Sequence, residues 1–345
     1  MRRGLEAIVG RYIARRLVLM LVAALGVTLI SFIVSHAVPA DPIVSNLGQI
    51  ASQRPEIVKA FREKWGLDKP LHQQYLTFLR NLTRGELGTS INTRRAVTKD
   101  LALFMPATVE LATTAVFFAL LLGLPLGIFA AIRRDGPIDH LARMVSLIGV
   151  SIPIFWLATV SLVLFYATLH WTVGPGRLGP QIEPPDFVTG MHTVDSLLEG
   201  DFETFQSAAS HLILPGLVLA SSIMGLVTRV TRSSMLEVLS QDYTRTARAK
   251  GLREARVVAR HALRNALIPT VTVLGLAYGG LLSGAVMTET IFAWPGIGRY
   301  AFQAVVTNDF PAIMGITFVI GIMYVVVNLV VDLLYGWLDP RIHYA

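Results

Sequence analysis

The sequence contains no cysteine among its 345 residues. Disulfide bonds, thiolate metal sites and cysteine nucleophiles are therefore excluded, although this absence leaves the redox compartment open. Charged residues are also scarce: they make up 15% of the chain, against about 25% in typical soluble domains. A G-x-x-x-x-G-K-[ST] sequence is missing too, so the chain has no phosphate-binding loop of its own for ATP.

Catalytic and metal-binding patterns are missing as well. The eight histidines are scattered, with no H-E-x-x-H or other paired spacing, which argues against a zinc site. No serine lies in a G-x-S-x-G setting that would make it a nucleophile. A membrane-embedded enzyme would need convergent polar groups at one depth, and the sequence does not supply them. We therefore expect no catalytic residue, metal site or cofactor on this chain.

Long apolar runs dominate what is present. Hydrophobic residues make up 53% of the chain, and the mean hydropathy is +0.57. The runs have about the 20 residues that a helix needs to cross about 30 Å of hydrocarbon. They predict an all-α polytopic membrane protein with six transmembrane helices: Leu17–Val38, Phe104–Ile132, Leu141–Leu169, Leu212–Val230, Pro269–Phe292 and Ala312–Leu338. The first run could be a cleaved signal peptide, but it exceeds the about 7 to 15 apolar residues of a signal core, which favours a retained helix.

Basic residues set the expected orientation, because they concentrate on the cytoplasmic side of membrane proteins. Arginines precede the first run and follow the second, and the segment after the fourth run is strongly basic. The segment after the third run, residues 171–210, is instead acidic and contains Arg177 as its only Lys or Arg. Both termini are therefore predicted to be cytoplasmic. The net charge of +7 reflects this membrane orientation, and no nucleic-acid partner is expected.

The pattern divides the chain into an N-terminal part, residues 1–103, and a part with five spans, residues 104–345. Residues 39–103 are predicted to be a polar extracytoplasmic insertion, with short helices at Pro55–Trp65 and Gln73–Leu82. This insertion carries ten Lys or Arg against six Asp or Glu, which fits the outside less well. Long loops cross the membrane largely regardless of charge, so the assignment stands as a prediction.

The most informative segment is residues 242–270, DYTRTARAKGLREARVVARHALRNALIPT. With a period of 3.6, arginines cover most of a helix surface and leave one apolar face formed by Ala247, Leu252, Ala255, Val258 and Ala259. Such a helix can enter a groove on a partner protein or lie on anionic lipid, and the residues alone leave both readings open. Gly251 can adopt a positive φ and turn the chain between two short helices.

Seven motifs occur in order along the chain: GLDKPLHQQYLTFL (Gly66–Leu79), RGELGTS (Arg84–Ser90), PATVELA (Pro106–Ala112), RTARAKGL (Arg245–Leu252), RHALRNALIP (Arg260–Pro269), ETIFAWPGIGR (Glu289–Arg299) and LDPRIHY (Leu338–Tyr344). With these motifs the chain resembles the membrane-spanning permease subunits of bacterial ABC importers for dipeptides, oligopeptides and nickel, specifically the first of their two permease types. The resemblance runs nearly end to end.

This resemblance implies the type I ABC importer permease fold in a bacterial cytoplasmic membrane. Members of the family pair with a second permease, sit on two cytoplasmic ATP-binding subunits that bind ATP and Mg, and receive substrate from an extracytoplasmic binding protein. The chain would then form half of a translocation pathway for peptides or similar small solutes. An ATP-independent channel or an ion-coupled carrier is the alternative.

The resemblance also implies a docking role for the cytoplasmic coupling loop, residues 242–262. In ABC importers this loop carries E-A-A-x-x-x-G; aligned on Gly251, Arg245 and Thr246 replace the glutamate and the first alanine, and Ala247 is retained. The residues that it assigns to ATPase docking are Arg245, Thr246, Ala247, Arg248, Lys250, Gly251 and Leu252.

Two carboxylates inside the apolar runs are candidates for the substrate path. Glu110 is expected near the outer end of the second run, where it could meet a substrate amine or be an interfacial carboxylate reached by water. Glu289 is the second candidate, near the outer end of the fifth run. A charge at membrane depth costs at least about 2.5 kcal/mol, so each should face the bundle interior, water or a partner charge. Glycines in the second and fifth runs favour close helix packing within one subunit over a dimer interface.

Overall fold

A computed structural model describes residues 15, 18–30, 32–33, 53–65, 68–283 and 285–338. The predicted cytoplasmic termini, the LDPRIHY motif beyond Leu338 and part of the 39–103 insertion lie outside these residues. The described part is helical, and its only β-type pairing is an isolated antiparallel bridge between Thr89 and Ala96. The all-α prediction is thus confirmed for this part of the chain.

The first seven helices are α1 (Val18–Ile30), α2 (Pro55–Trp65), α3 (Leu71–Thr83), α4 (Val97–Ile132), α5 (Pro137–Ser151), α6 (Ile154–Ser161) and α7 (His192–Glu199). The others are α8 (Phe202–Leu239), α9 (Asp242–Ala249), α10 (Glu254–Arg256), α11 (Leu263–Leu282), α12 (Val286–Ile291), α13 (Ile297–Val306) and α14 (Phe310–Leu338). Wider π-helical turns continue α6 over Leu162–Thr168 and join α10 to α11 over Val257–Ala262. The short helices predicted in the insertion are present as α2 and α3.

Four stretches of described helix are long and apolar enough to cross a membrane: Val97–Ile132, Phe202–Leu239, Glu254–Leu282 and Phe310–Val331. A fifth candidate is the pair α5 and α6, taken as one broken span. The described part of the first predicted span, α1, is too short to meet the same length. The described residues therefore show four or five of the six predicted spans, and the first predicted span lies partly outside them.

The third predicted span, Leu141–Leu169, is not one straight helix. Helices α5 and α6 with its π turns are bent by 100° relative to each other. The break lies at Ile152 and Pro153, which have extended or polyproline-like backbone angles. Proline disfavours the helical conformation of the residue before it, so Pro153 accounts for the break. The single predicted span is therefore two helices in the structure, with the break at the proline.

Two other predicted spans differ in their limits. The fourth, Leu212–Val230, is the core of the much longer α8, which begins where the Asp201 carboxylate accepts hydrogen bonds from the N–H groups of Glu203 and Thr204. The fifth predicted span, Pro269–Phe292, corresponds to two helices: α11, which begins before Pro269 and ends at Leu282, and the short α12 after it. Hydropathy missed the polar helix ends because they reach beyond the apolar run.

The described chain forms two compact units, each with its own core. The first unit contains residues up to Thr108 and Pro295–Val326. In its core, Val97 and Leu101 pack with Ile297, Tyr300 and Ile316. Two buried carboxylates fix α4 and the segment before it in this unit: Asp309 accepts from Ser90 Oγ at 2.5 Å, and Asp100, in the first turn of α4, accepts from Tyr300 Oη at 3.0 Å. Burial raises the pKa of Tyr300, so its hydroxyl stays protonated as a donor.

Among the described residues, the second unit contains Val109–Trp294 and residues 327–338, and α8 is its central helix. In the most apolar stretch of α8, two thirds of the residues are buried inside the protein, against one third or less in the corresponding stretches of the other three long apolar helices. Glycines bring neighbouring helices close: a Cβ on Gly127 would lie 2.8 Å from the Thr228 carbonyl oxygen, and one on Gly149 would lie 2.5 Å from that of Ser221. The Gly127 contact confirms packing within this chain for that predicted glycine, whereas a Cβ on Gly280 would meet nothing within 4 Å.

Candidate functional site

The 242–262 segment leaves the end of α8 and folds back as a tight turn. Helix α9 ends at Ala249, and Gly251 follows with φ +77°, a left-handed conformation that glycine adopts without strain. No heavy atom lies within 4 Å of a Cβ placed on Gly251, so the backbone angle alone favours glycine here. The chain then enters α10 at Glu254. The predicted turn between two short helices at Gly251 is confirmed.

An ion pair closes this turn. The Arg248 guanidinium donates to both Glu254 carboxylate oxygens, at 3.0 Å from Nε and 2.7 Å from Nη2. A third nitrogen, Nη1, donates to the Leu239 carbonyl at 3.3 Å, at the end of α8. Arg248 therefore spans the base of the turn, and its guanidinium is engaged within the chain.

Apolar and hydroxyl side chains fix the segment to α8. The Thr244 hydroxyl contacts the carbonyls of Leu239 and Gln241, at 2.9 and 2.6 Å. Val258 and Ala262 form a buried cluster with Met235 of α8. The 242–262 segment and the last turns of α8 are therefore packed as one piece.

This packing corrects the predicted apolar face. The segment is broken at Lys250 and Gly251, so its residues do not follow one helical period across the break. Ala247 and Val258 are buried within the chain, whereas Ala255 and Ala259 are exposed. The apolar face is therefore used to hold the segment in place and is not left open as a single stripe.

The open surface of the segment is basic. Six Lys or Arg stand against two Asp or Glu in residues 242–262. The exposed members are Arg245, Arg248, Lys250, Arg253, Arg256 and Arg260. Thr246 and Gly251 are exposed beside them, and Leu252 is half-buried. Of the seven predicted docking residues, all except Ala247 and Leu252 thus lie on the exposed surface.

A second ionic site holds the 170–191 loop, which precedes α8 in the sequence. Glu110 of α4 is 4% exposed and accepts from Arg177 Nη2 at 2.6 Å. Its other carboxylate oxygen accepts from the N–H and the hydroxyl of Thr193, at 2.8 and 2.7 Å. Arg177 also donates to the Gly190 carbonyl at 2.9 Å and lies 5.6 Å from the centre of the Trp294 ring. Glu110 is thus a paired, buried carboxylate, not one that water reaches easily.

Two titratable groups of α7 near this site have shifted pKa values. Burial, followed by the positive charge of Arg177, lowers the pKa of His192 to about 4, so the imidazole is neutral at neutral pH. Burial raises the pKa of Asp195, but hydrogen bonds from Thr189 and Gly190 lower it by more, and the net pKa falls below its ordinary value. Asp195 therefore remains a charged acceptor that folds the chain ahead of α7.

Glu289, the second predicted substrate-path residue, lies in α12 and is completely buried. Both candidates are therefore buried carboxylates. Among the described residues, no group of three or more His, Asp or Glu side chains is arranged to hold a metal ion.

The sequence analysis missed a third ionic site. Asp139, in the first turn of α5, is fully buried and accepts hydrogen bonds from both Arg232 and Arg143. An aspartate in the first turn of an amphipathic helix is common, and the sequence around Asp139 does not indicate that its partner is Arg232, 93 residues away. Arg232 gave no signal either, because it lies two residues beyond the predicted span Leu212–Val230 and belongs to α8 only in the structure.

Comparison with known proteins gives the family. Residues 123–344 match the model described as "Binding-protein-dependent transport system inner membrane component", and residues 9–112 match its N-terminal companion model. The chain is 51% identical to the probable D,D-dipeptide transport system permease protein DdpB of Escherichia coli (strain K12), over 94% of each chain. It is 45% identical to the di/tripeptide transport system permease protein DppB of Pseudomonas aeruginosa (strain UCBPP-PA14), over 96% of this chain and 98% of that one.

A solved structure of the inward-facing MetNI methionine ABC transporter contains a chain that aligns at 15% identity with a TM-score of 0.47. That alignment covers 69% of this chain and 96% of the other, and it carries no conclusion here. The family models and the curated relatives are sufficient, because together they span nearly the whole sequence. The chain belongs to the binding-protein-dependent transport system inner membrane components, as a non-catalytic, multi-pass permease subunit of an ABC importer.

Proposed function

We propose that this chain forms half of the translocation pathway of an importer for dipeptides or similarly short peptides. Its relatives are named as permeases for D,D-dipeptides, dipeptides and di/tripeptides, which supports this substrate class. The other half is a second, different permease subunit in a heterodimer. Two cytoplasmic subunits bind ATP and Mg, and an extracytoplasmic binding protein delivers the peptide.

The topology that we propose places the 242–262 segment and both termini in the cytoplasm. The basic surface of this segment supports that orientation, and the acidic 171–210 segment supports the opposite side for the other loop. The four long apolar helices, the broken pair α5 and α6, and the first apolar run would together give six spans. Residues 39–103 would be an extracytoplasmic insertion, ahead of a transmembrane domain at residues 104–345.

We further propose that the 242–262 segment docks on one ATP-binding subunit. The exposed Arg245, Thr246, Lys250 and Gly251 would form the contact surface, and the buried Ala247 and half-buried Leu252 would hold its shape. The ion pair between Arg248 and Glu254 would hold the turn in the conformation that contacts the ATP-binding subunit. A basic surface of this kind favours an acidic face on the partner, although each exposed pair contributes only about 0 to 1 kcal/mol.

In this mechanism the chain performs no chemistry. ATP binding draws the two ATP-binding subunits together, and the docked segment converts that closure into movement of α8 and the helices packed on it. The cavity between the permeases then switches from inward-facing to outward-facing and accepts a peptide. ATP binding acts by favouring one of two states, so its effect equals the difference in its affinity for them.

Substrate contact by Glu110 and Glu289 stays a prediction. The Glu110 carboxylate is saturated by Arg177 and Thr193, and Glu289 is fully buried. A peptide amine would reach either group only after these contacts change. Holding the 170–191 loop is the role of Glu110 that its present contacts support.

The observation that carries the proposal is the 242–262 segment: a turn closed on itself and fixed to α8, with its basic surface open. Reconstitution in vesicles tests it. The complete complex should accumulate radiolabelled dipeptide only with ATP and the binding protein present, and the chain alone should accumulate none. Uptake by the purified chain alone without ATP would instead support the channel or carrier alternative.

A further inference from the structure

The buried carboxylate of Asp139 joins two helices of the second unit. Arg232 of α8 donates to it through Nε and, at 2.8 Å, through Nη2, in the paired geometry that arginine forms with carboxylates. Asp139 is 0% exposed and the Arg232 side chain 22%, so this contact is largely removed from water. The N–H of Asp135 also donates to Asp139, at 3.0 Å, which ties the turn before α5 to the same group.

The position of Arg232 on α8 connects this ion pair to the 242–262 segment. Met235 lies one turn further along α8 and is buried against Val258 and Ala262. Leu239 lies another turn on, and its carbonyl accepts from Thr244 and Arg248. From Arg232 to Leu239 the helix rises about 10 Å, at about 1.5 Å per residue. The ion pair and the segment are therefore anchored to the same last two turns of α8.

Further along their contact, glycines bring the backbones of α5 and α8 close together. A Cβ on Gly149 would lie 2.5 Å from the Ser221 carbonyl oxygen, and one on Gly225 would lie 2.9 Å from that of Ser146. Such an interface lets the backbones approach closely but contains few groups that fix the register of one helix against the other. The Asp139–Arg232 pair supplies a directional contact at the end nearest the segment.

We propose that Asp139 is a positioning residue for energy coupling: its pair with Arg232 makes α5, the last turns of α8 and the 242–262 segment move as one rigid body. When the segment moves, α5 then moves with it by the same rotation and translation. This inference rests on the proposed docking of the segment. A role in stability alone would not require an ion pair, because well-packed apolar residues in its place are often as stable or more stable.

Two singly altered chains and one doubly altered chain test the pair. Asp139→Asn and Arg232→Gln each leave one buried partner without its counterpart, whereas the double variant removes both charges. Arg143→Gln is the matched control, because it removes only the half-exposed second arginine on Asp139. Arg232→Lys keeps the charge and loses the two-pronged geometry, so it should give an intermediate result.

The first readout is the peptide taken up per ATP hydrolysed, with a radiolabelled dipeptide and the complete reconstituted complex. Each single variant should lower this ratio at least about fivefold, the lower end of typical coupling between sites. The double variant should lose less than the product of the two single losses, since residues in one network act non-additively. Arg143→Gln should stay within about twofold of the native complex.

The second readout needs no substrate. The chain has no cysteine, so Met144→Cys on α5 and Ser233→Cys on α8 introduce two unique sites for spin labels, both at exposed positions. Background labelling is measured on the complex that contains the cysteine-free chain. The distance between the labels should be the same with and without ATP in the native background. It should broaden or shift with ATP when Asp139→Asn is added.

A label distance that changes with ATP in the native background would overturn the inference, as would Asp139→Asn chains that couple normally. If the single variants reduce only the amount of assembled complex, with an unchanged ratio and label distance, the pair is purely structural and the inference is wrong. Failure of the docking proposal is separate, because it would show as a missing contact between the native 242–262 segment and the ATP-binding subunits.

Discussion

Two loops of the second unit are closed by an arginine–carboxylate pair, and the two pairs differ in burial. In the 170–191 loop, Arg177 and Glu110 are 8% and 4% exposed. In the 242–262 segment, Arg248 and Glu254 are 38% and 51% exposed. The buried pair fixes a loop that has almost no regular structure of its own. The exposed pair braces a turn whose remaining basic groups are left open.

The difference in burial matches two different roles, one loop fixed within its unit and one segment proposed to dock on a partner. A buried ion pair is expensive to break, because either partner alone is left as an uncompensated charge. An exposed pair is worth little in itself and can yield or adapt when another surface approaches. The 170–191 loop is therefore a fixed part of its unit, whereas the 242–262 segment is shaped to meet a partner.

The largest effect is expected from breaking the buried pair. Glu110→Gln leaves the Arg177 guanidinium buried without a counter-charge, which should cost about 3 to 5 kcal/mol of stability. Thermal unfolding of the purified complex measures this loss. Glu183→Gln, which alters an exposed carboxylate in the same loop, is the control and should unfold like the native chain. Equal stability of the two variants would show that Glu110 does not hold the loop.

The next effect concerns the turn of the 242–262 segment. Gly251→Val places a β-branched side chain at φ +77°, a strain of about 1 to 3 kcal/mol, and should distort the turn. The amount of peptide taken up per ATP should fall. Gly251→Asn is the matched control, because asparagine tolerates left-handed angles and the space around the position is open. Equal losses in both variants would mean that bulk at the docking surface, not backbone conformation, is decisive.

A smaller effect is expected from the exposed pair. Arg248→Glu should change stability by about 1 kcal/mol or less, yet lower the uptake per ATP because the turn loses its brace. Combining it with Glu254→Arg restores opposite charges across the turn and should recover coupling. Uptake and ATPase activity of the single and double variants measure this. No recovery in the double variant would assign Arg248 a direct contact with the partner instead.

The smallest effect is a pH dependence at the buried site. His192 has a pKa of about 4 in the folded chain and about 6.5 when unfolded, so it binds a proton more readily when unfolded. Its neutral form thus contributes stability above pH 6.5 that is lost as the pH falls toward 4. The neighbouring charges are Arg177, Glu110 and Asp195. Thermal unfolding between pH 7.5 and 4.5 should shift more for the native chain than for His192→Gln, by a modest amount because the ring is half-exposed.

Local features could be predicted from the sequence, and pairings between distant residues could not. The positive φ of Gly251 follows from its place between two polar, helix-forming stretches, and the apolar runs gave the cores of the long helices. Pro153 was present as a signal for a break, but a proline alone does not say whether a helix bends slightly or by 100°.

The ionic sites show the limit most clearly. Glu110 and Arg177 are 67 residues apart, and Asp139 and Arg232 are 93 apart. Periodicity reports which face of a helix is apolar, and it contains no information on which charge meets which. The apolar face of the 242–262 segment was misassigned for a related reason: a continuous period was applied across a turn, where the helical phase is reset.

The most direct test of the account is a cross-link from the tip of the 242–262 segment. Lys250→Cys introduces a unique thiol in the chain, and Leu198→Cys does the same in α7, where the side chain is 64% exposed. In intact cells, a thiol-to-amine cross-linker that enters the cytoplasm should join Lys250→Cys to an ATP-binding subunit, and a membrane-impermeant thiol reagent should label only Leu198→Cys. Labelling of Lys250→Cys from outside, or cross-links that never include an ATP-binding subunit, would contradict the account.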